Sequence, residues 1–90
     1  MKITEFAAVI GSELILLRYP NQNNRWTAMF SHSDTKDNES DSILSGTYGN
    51  GNSPEEALSD YANKIAGKIL ILNALQDNRQ TFVCPKKFDK

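Results

Sequence analysis

Residues Gly46 to Leu58 read GTYGNGNSPEEAL. Three glycines run into the first turn of a helix, the arrangement by which many proteins hold phosphate on backbone amides. A Walker A loop needs a lysine and a Ser/Thr directly after its last glycine. Here Gly51 is followed by Asn52, Ser53 and Pro54, with no lysine. A dinucleotide fingerprint needs G-x-G-x-x-G leading out of a parallel strand, and Gly46, Gly49 and Gly51 have a different spacing. Pro54 also removes one of the amides a phosphate would use. The segment therefore reads mainly as a strand-to-helix corner whose glycines supply positive φ. Any recognition there is expected from the backbone of Gly49, Asn50, Gly51, Asn52 and Ser53 with Tyr48 beside them, without chemistry.

The other reactive side chains are sparse. His32 is the only histidine and stands near Asp34 and Asp37. A catalytic zinc takes three protein ligands and a structural zinc four, so no metal is implied. Asp37, Glu39 and Asp41 alternate as in an EF-hand loop, but Ser42 occupies the glycine position and Tyr48 the position of the bidentate glutamate. Cys84 precedes Pro85 without an identifiable base beside it. It reads as a small buried hydrophobe, and no catalytic set emerges. Arg18, Arg25 and Tyr48 are the better candidates for contacts with a partner, whereas Trp26 fits a core position.

Ninety residues make one domain with a modest core. Ten basic and eleven acidic side chains leave a net charge of −1. That balance argues against a broad grip on nucleic acid, which needs a basic face. A single cysteine rules out an intramolecular disulfide and fits a reducing cytosol. The first 20 residues lack the unbroken apolar core and cleavage site of a signal peptide, and no apolar run approaches a membrane span. These features predict a cytoplasmic chain with no cofactor.

The elements that must position these residues follow from periodicity. Ile3, Phe6, Ala7 and Ile10 mark one face of a short helix with Gly11 as its stop. LILLRY (14–19) and RWTAMFSH (25–32) flank the Pro/Asn-rich PNQNN, a hairpin signal, with Trp26, Ala28 and Phe30 facing the core. Residues 31–42 are polar throughout and are expected as a solvated acidic loop. ILSGTYG (43–49) is expected to resume a strand, with Gly46 at a bulge or close approach. Ser53, Pro54 and Glu56 announce a capped helix over about 54–66, closed by Gly67. Lys64 and Lys68 fall where its dipole favours cations. KILILNAL (68–75) and QTFVC (80–84) are expected strands, and 85–90 a flexible tail. The class is α+β, in the order α-β-β-β-α-β-β. A single antiparallel sheet of about five strands packs against one main helix.

The stretch RWTAMF…GTYGNGNSPEEALSDYANKIAGKILILNA…RQTFVCP, about two thirds of the chain, resembles small proteins common in bacteriophages and prophages. The shared pattern is a glycine-rich turn, [ST]-P-E-E-A, then Y-A-x-x-I-x-G-K and a strand. That resemblance implies a phage-encoded protein, and with no catalytic set in the sequence the expectation is a non-catalytic binding protein. Its expected role is interference with a host pathway such as a defence system, by binding a host protein or sequestering a small anionic ligand. Homo-oligomers are also expected, because a small sheet leaves edge strands free. A second resemblance, carried by Trp26, Ala28, Phe30, Gly51, Ser53, Glu55, Glu56 and Ala57, is to the HicB-like antitoxin fold. It implies neutralisation of a small ribonuclease toxin. The segment after the helix reads as two strands, where such antitoxins carry a DNA-binding module.

Overall fold

The computed structural model describes residues 1–89. In chain order they form α1 (Ile3–Ile10), β1 (Leu14–Tyr19), a 3-10 turn (Pro20–Gln22), β2 (Arg25–Phe30) and β3 (Ser33–Lys36). Then come β4 (Gly49–Gly51), α2 (Pro54–Ile65), β5 (Ile69–Leu72) and β6 (Gln80–Val83). The α+β class stands, but the strands make two three-stranded antiparallel sheets, ordered β1-β2-β4 and β3-β5-β6, in place of the single sheet expected. The break falls between β2 and β3. His32 there adopts a left-handed backbone (φ 50), which turns the chain out of the first sheet before it enters the second.

Two further expectations fail in this region. The polar segment 31–42 contains β3, paired along its length with β5. Thr35 is buried, exchanges both backbone hydrogen bonds with Ser45 (2.8 and 2.9 Å), and its hydroxyl lies 2.6 Å from that of Thr47. A ladder is built by main-chain groups, so an apolar neighbour such as β5 recruits a polar strand that no side-chain pattern announces. Conversely, the strand expected over 43–49 is reduced to the Thr35–Ser45 bridge, and regular pairing resumes only at Gly49. Gly46 sits in open space, with nothing near its missing Cβ.

The helices follow their sequence signals closely. Ile3, Phe6, Ala7 and Ile10 of α1 are all buried, and Gly11 ends the helix in the left-handed region at φ 66. Along α2, Ala57, Tyr61, Ala62 and Ile65 form the buried stripe, with Leu58 half-buried beside it. Gly67 takes φ 74 and its amide bonds the Pro85 carbonyl at 2.7 Å. The core joins both helices to the sheets through edge-to-face aromatic pairs, Phe6–Phe30 and Phe30–Tyr61. All four residues of β5 are buried, as its unbroken apolar run requires for a strand covered on both faces. Each such side chain contributes about 1.5–3 kcal/mol of burial.

The flexible tail expected over 85–90 is also corrected. Phe88 is buried and its ring packs edge-on against Phe6 at 5.5 Å. The Asp89 amide bonds the Met1 carbonyl, and its carboxylate pairs with the Met1 ammonium at 2.6 Å. One aromatic side chain is enough to dock a short polar tail when the cavity beside α1 is open to it. Lys90 lies outside the described residues. No helix among the described residues is long and apolar enough to cross a membrane.

Candidate functional site

The glycine corner is built by β4 lying flat on α2. A Cβ on Gly49 would stand 2.3 Å from both the Ala57 carbonyl oxygen and the Tyr61 nitrogen. One on Gly51 would stand 2.5 Å from the Glu56 Cβ. Neither glycine has a positive φ; among the described glycines only Gly11 and Gly67 do. The expected role for these glycines is thus replaced by another. They are missing side chains that let strand and helix backbones touch.

The amides at this corner are occupied by the chain's own acids. Asn50 N–H donates to the Asp60 carboxylate at 2.8 Å, and Asn52 N–H donates to the Glu56 carboxylate at 2.7 Å. Ser53 Oγ accepts from Glu56 N–H at 3.2 Å. The cap therefore closes one residue earlier than the usual reciprocal box, because Glu56 reaches past Ser53 to Asn52. Lys64 pairs with Asp60 at 2.9 Å and donates to the Tyr48 carbonyl at 3.2 Å. Burial pushes the Asp60 carboxyl up, but the Asn50 amide and the Lys64 ammonium together outweigh it and hold its pKa below the usual carboxylate value. A phosphate approaching Asn50 or Asn52 meets two carboxylates where it would need donors.

The sheet separates the remaining candidate residues by face. Gly49 and Gly51 turn toward α2 together with their register partners Ala28 and Trp26. Trp26 is half-buried against the core, as its alternation predicts. Arg18, opposite Trp26, shares that side and bonds Asn24 Oδ1 at 2.8 Å. The opposite face carries the pairs Ile15–Met29, Leu17–Thr27 and Tyr19–Arg25. Asn50 joins this face, its side-chain oxygen accepting from the Thr27 hydroxyl at 3.2 Å. Arg25 stacks over the Tyr19 ring with Cζ 5.8 Å from its centroid, and its Nε is buried without a hydrogen-bond partner. Leu17 and Tyr19 are exposed, at 41% and 36%. Of the expected contact residues, the fold places Arg25 and Asn50 on one face of the sheet, with exposed Tyr48 one residue before β4. It sends Arg18 to the other face. Leu17 was missed because an apolar strand residue reads as core; its parity with Tyr19 was the available signal.

The chemistry-bearing residues elsewhere are engaged structurally. A cleft of about 500 Å³ lies between β3, the Ser45–Thr47 segment and the acidic loop. It holds an ion pair between Lys68, which sits past the helix end it was expected to cap, and Asp37 at 3.0 Å, while the Lys36 ammonium donates to the Glu39 main-chain carbonyl at 3.0 Å. Asp41 accepts from the Asn38 amide at 3.0 Å, which closes a turn rather than a cation loop. His32 is exposed at the sheet break. Cys84 is buried, and burial pushes its thiol up to about 11. Among the described residues no group of three His, Cys, Asp or Glu side chains is placed to hold a metal ion. Compared with known proteins, the chain matches no family model, no curated protein and no solved structure.

Proposed function

We propose that this chain is a small, non-catalytic, phage-encoded protein that docks on a host protein and so interferes with a host pathway such as a defence system. The observation that carries the binding surface is the stacked Tyr19–Arg25 pair at the β1 end of the sheet, with exposed Leu17 beside it and half-buried Asn50 on the same face. Aromatic and arginine side chains beside exposed aliphatics are the residue types that dominate protein interfaces. The phage origin rests on the resemblance of the G-x-G-x-[ST]-P-E-E-A turn and helix. Sequestration of a small anion loses its support at the corner, since Asp60 and Glu56 already hold the Asn50 and Asn52 amides. A second reading, a HicB-like antitoxin, draws on α2 lying across the sheet that carries Trp26, Ala28 and Phe30. A gene for a small basic toxin beside this one would support it, and the absence of such a gene would nearly remove it.

The test is affinity capture from host lysate with the wild-type chain and with a Tyr19→Ala/Arg25→Ala variant. One host protein retained by the wild type and bound at least about a hundredfold more weakly by the variant is the expected result. Empty captures, together with an empty nucleotide-binding screen, would overturn the reading.

A further inference from the structure

We infer that β1 is a pairing edge for a second copy of this chain, joining two first sheets into one continuous six-stranded sheet. This concerns the sheet's edge and its main-chain groups, while its side-chain contacts share Leu17, Tyr19 and Arg25 with the proposed host-binding surface; sedimentation of the isolated chain reads the pairing independently of host capture. β1 ends the strand order β1-β2-β4 and runs LILLRY without a bulge, a lysine or an internal proline. Those are the usual devices that keep an edge from pairing. Leu16, Leu17 and Tyr19 are all exposed.

The hydrogen-bond phase limits the register to pairs of outward-facing residues. Ser31 N–H donates to the Glu13 carbonyl at 2.9 Å, in step with the β1–β2 ladder. Glu13, Ile15, Leu17 and Tyr19 therefore turn their main-chain groups toward β2, and Leu14, Leu16 and Arg18 turn theirs outward. A two-fold axis normal to the sheet pairs residues of equal parity. Centred on Leu16, it sets Leu16 against Leu16 and Leu14 against Arg18, so every outward N–H and C=O finds a partner. Centred on Leu17, it would set Leu14 against Pro20, which has no N–H to give.

The same Leu16-centred register matches charge and apolar surface. Ile15 of one copy faces Leu17 of the other on the exposed side. Glu13 of one copy faces Tyr19 of the other, whose ring carries Arg25. The acidic start of β1 meets its basic end, twice by symmetry, and this antiparallel complementarity commits the edge to a second copy of the chain.

Sedimentation equilibrium of the full chain, over about a hundredfold concentration range reaching ~0.5 mM, tests this. The wild type is expected to approach twice its 10.1 kDa mass. Leu16→Pro removes an outward N–H that the β1–β2 ladder does not use, so it is expected to give a monomer with native circular dichroism. Glu13→Arg and Arg25→Glu singly are each expected to weaken the dimer about tenfold, and together to restore it. A wild type that stays monomeric throughout overturns the proposal. So does a Glu13→Arg variant that dimerises as well as the wild type, whether or not the proline variant folds.

Discussion

Adding one methyl group at Gly49 tests the physical basis of the glycine corner. In Gly49→Ala the new Cβ would stand 2.3 Å from two backbone atoms, the Ala57 oxygen and the Tyr61 nitrogen, where ordinary contact begins at 3.4 Å. The shortfall is about 1.1 Å, and neither neighbour can rotate away, because both belong to the α2 main chain. Strand β4 must lift off the helix by that amount. Doing so strains the 2.8 Å Asn50–Asp60 bond and the 3.2 Å Lys64–Tyr48 bond. Overpacking of a well-packed site costs about 1–3 kcal/mol, and the rigid partners here put the cost at the upper end, ~3 kcal/mol. For a domain of this size each kcal/mol moves the melting temperature by about 4–8 °C, so the expected drop is roughly 12–24 °C. Total stability of such a domain is about 5–13 kcal/mol, so the variant remains foldable and measurable. Thermal melts followed by circular dichroism read the effect. Gly46→Ala is the control, since nothing lies within 4 Å of its Cβ, and it is expected to stay within about 0.5 kcal/mol of wild type. A Gly49→Ala melt within about 4 °C of wild type would refute the close-approach reasoning.

Three other perturbations probe separate parts of the fold. Tyr61→Phe keeps the ring but removes the hydroxyl that accepts the buried Phe30 amide at 3.0 Å; urea unfolding should show a loss of about 1–3 kcal/mol, and an unchanged midpoint would refute that role. Phe88→Ala should cost about 3 kcal/mol in the same measurement by emptying the site against Phe6, whereas a free tail would give no change. Asp60 has a folded-state pKa below its ordinary 3.8, so its stabilisation is present above about pH 4 and is lost as pH falls through the lowered value. Asp60→Asn should therefore lower the melting temperature at pH 7 and flatten its decline below pH 4; parallel acid limbs for variant and wild type would contradict this.

Much of the architecture was legible locally. The α2 boundaries came from Ser53, Pro54 and Glu56 at one end, which act on main-chain groups within about a turn of themselves, and at the other from Gly67, whose left-handed backbone turns the chain out of the helix. The α1 face and the β2 face were readable because a periodic apolar set declares its own buried side, and the β1–β2 hairpin because PNQNN marks the turn between its strands. What failed was non-local. Strand β3 is polar and owes its existence to β5, more than thirty residues later. Phe88 looks like part of a charged tail until α1 is placed beside it.

At the candidate site the division is sharper. By itself, the sequence determined that Gly49–Ser53 turns a strand into a capped helix and that no phosphate-loop lysine is present, and it nominated Arg25 and Tyr48 as contact candidates. Only the tertiary structure decided that Gly49 and Gly51 serve backbone contact instead of positive φ, because the clash depends on where α2 returns. It also decided that Asp60 and Glu56 occupy the corner amides, and that Arg25 joins Tyr19 while Arg18 turns away. Spacing along a chain sets which groups can meet within a turn or a strand. Which groups meet across elements depends on register and packing, and those are properties of the whole fold.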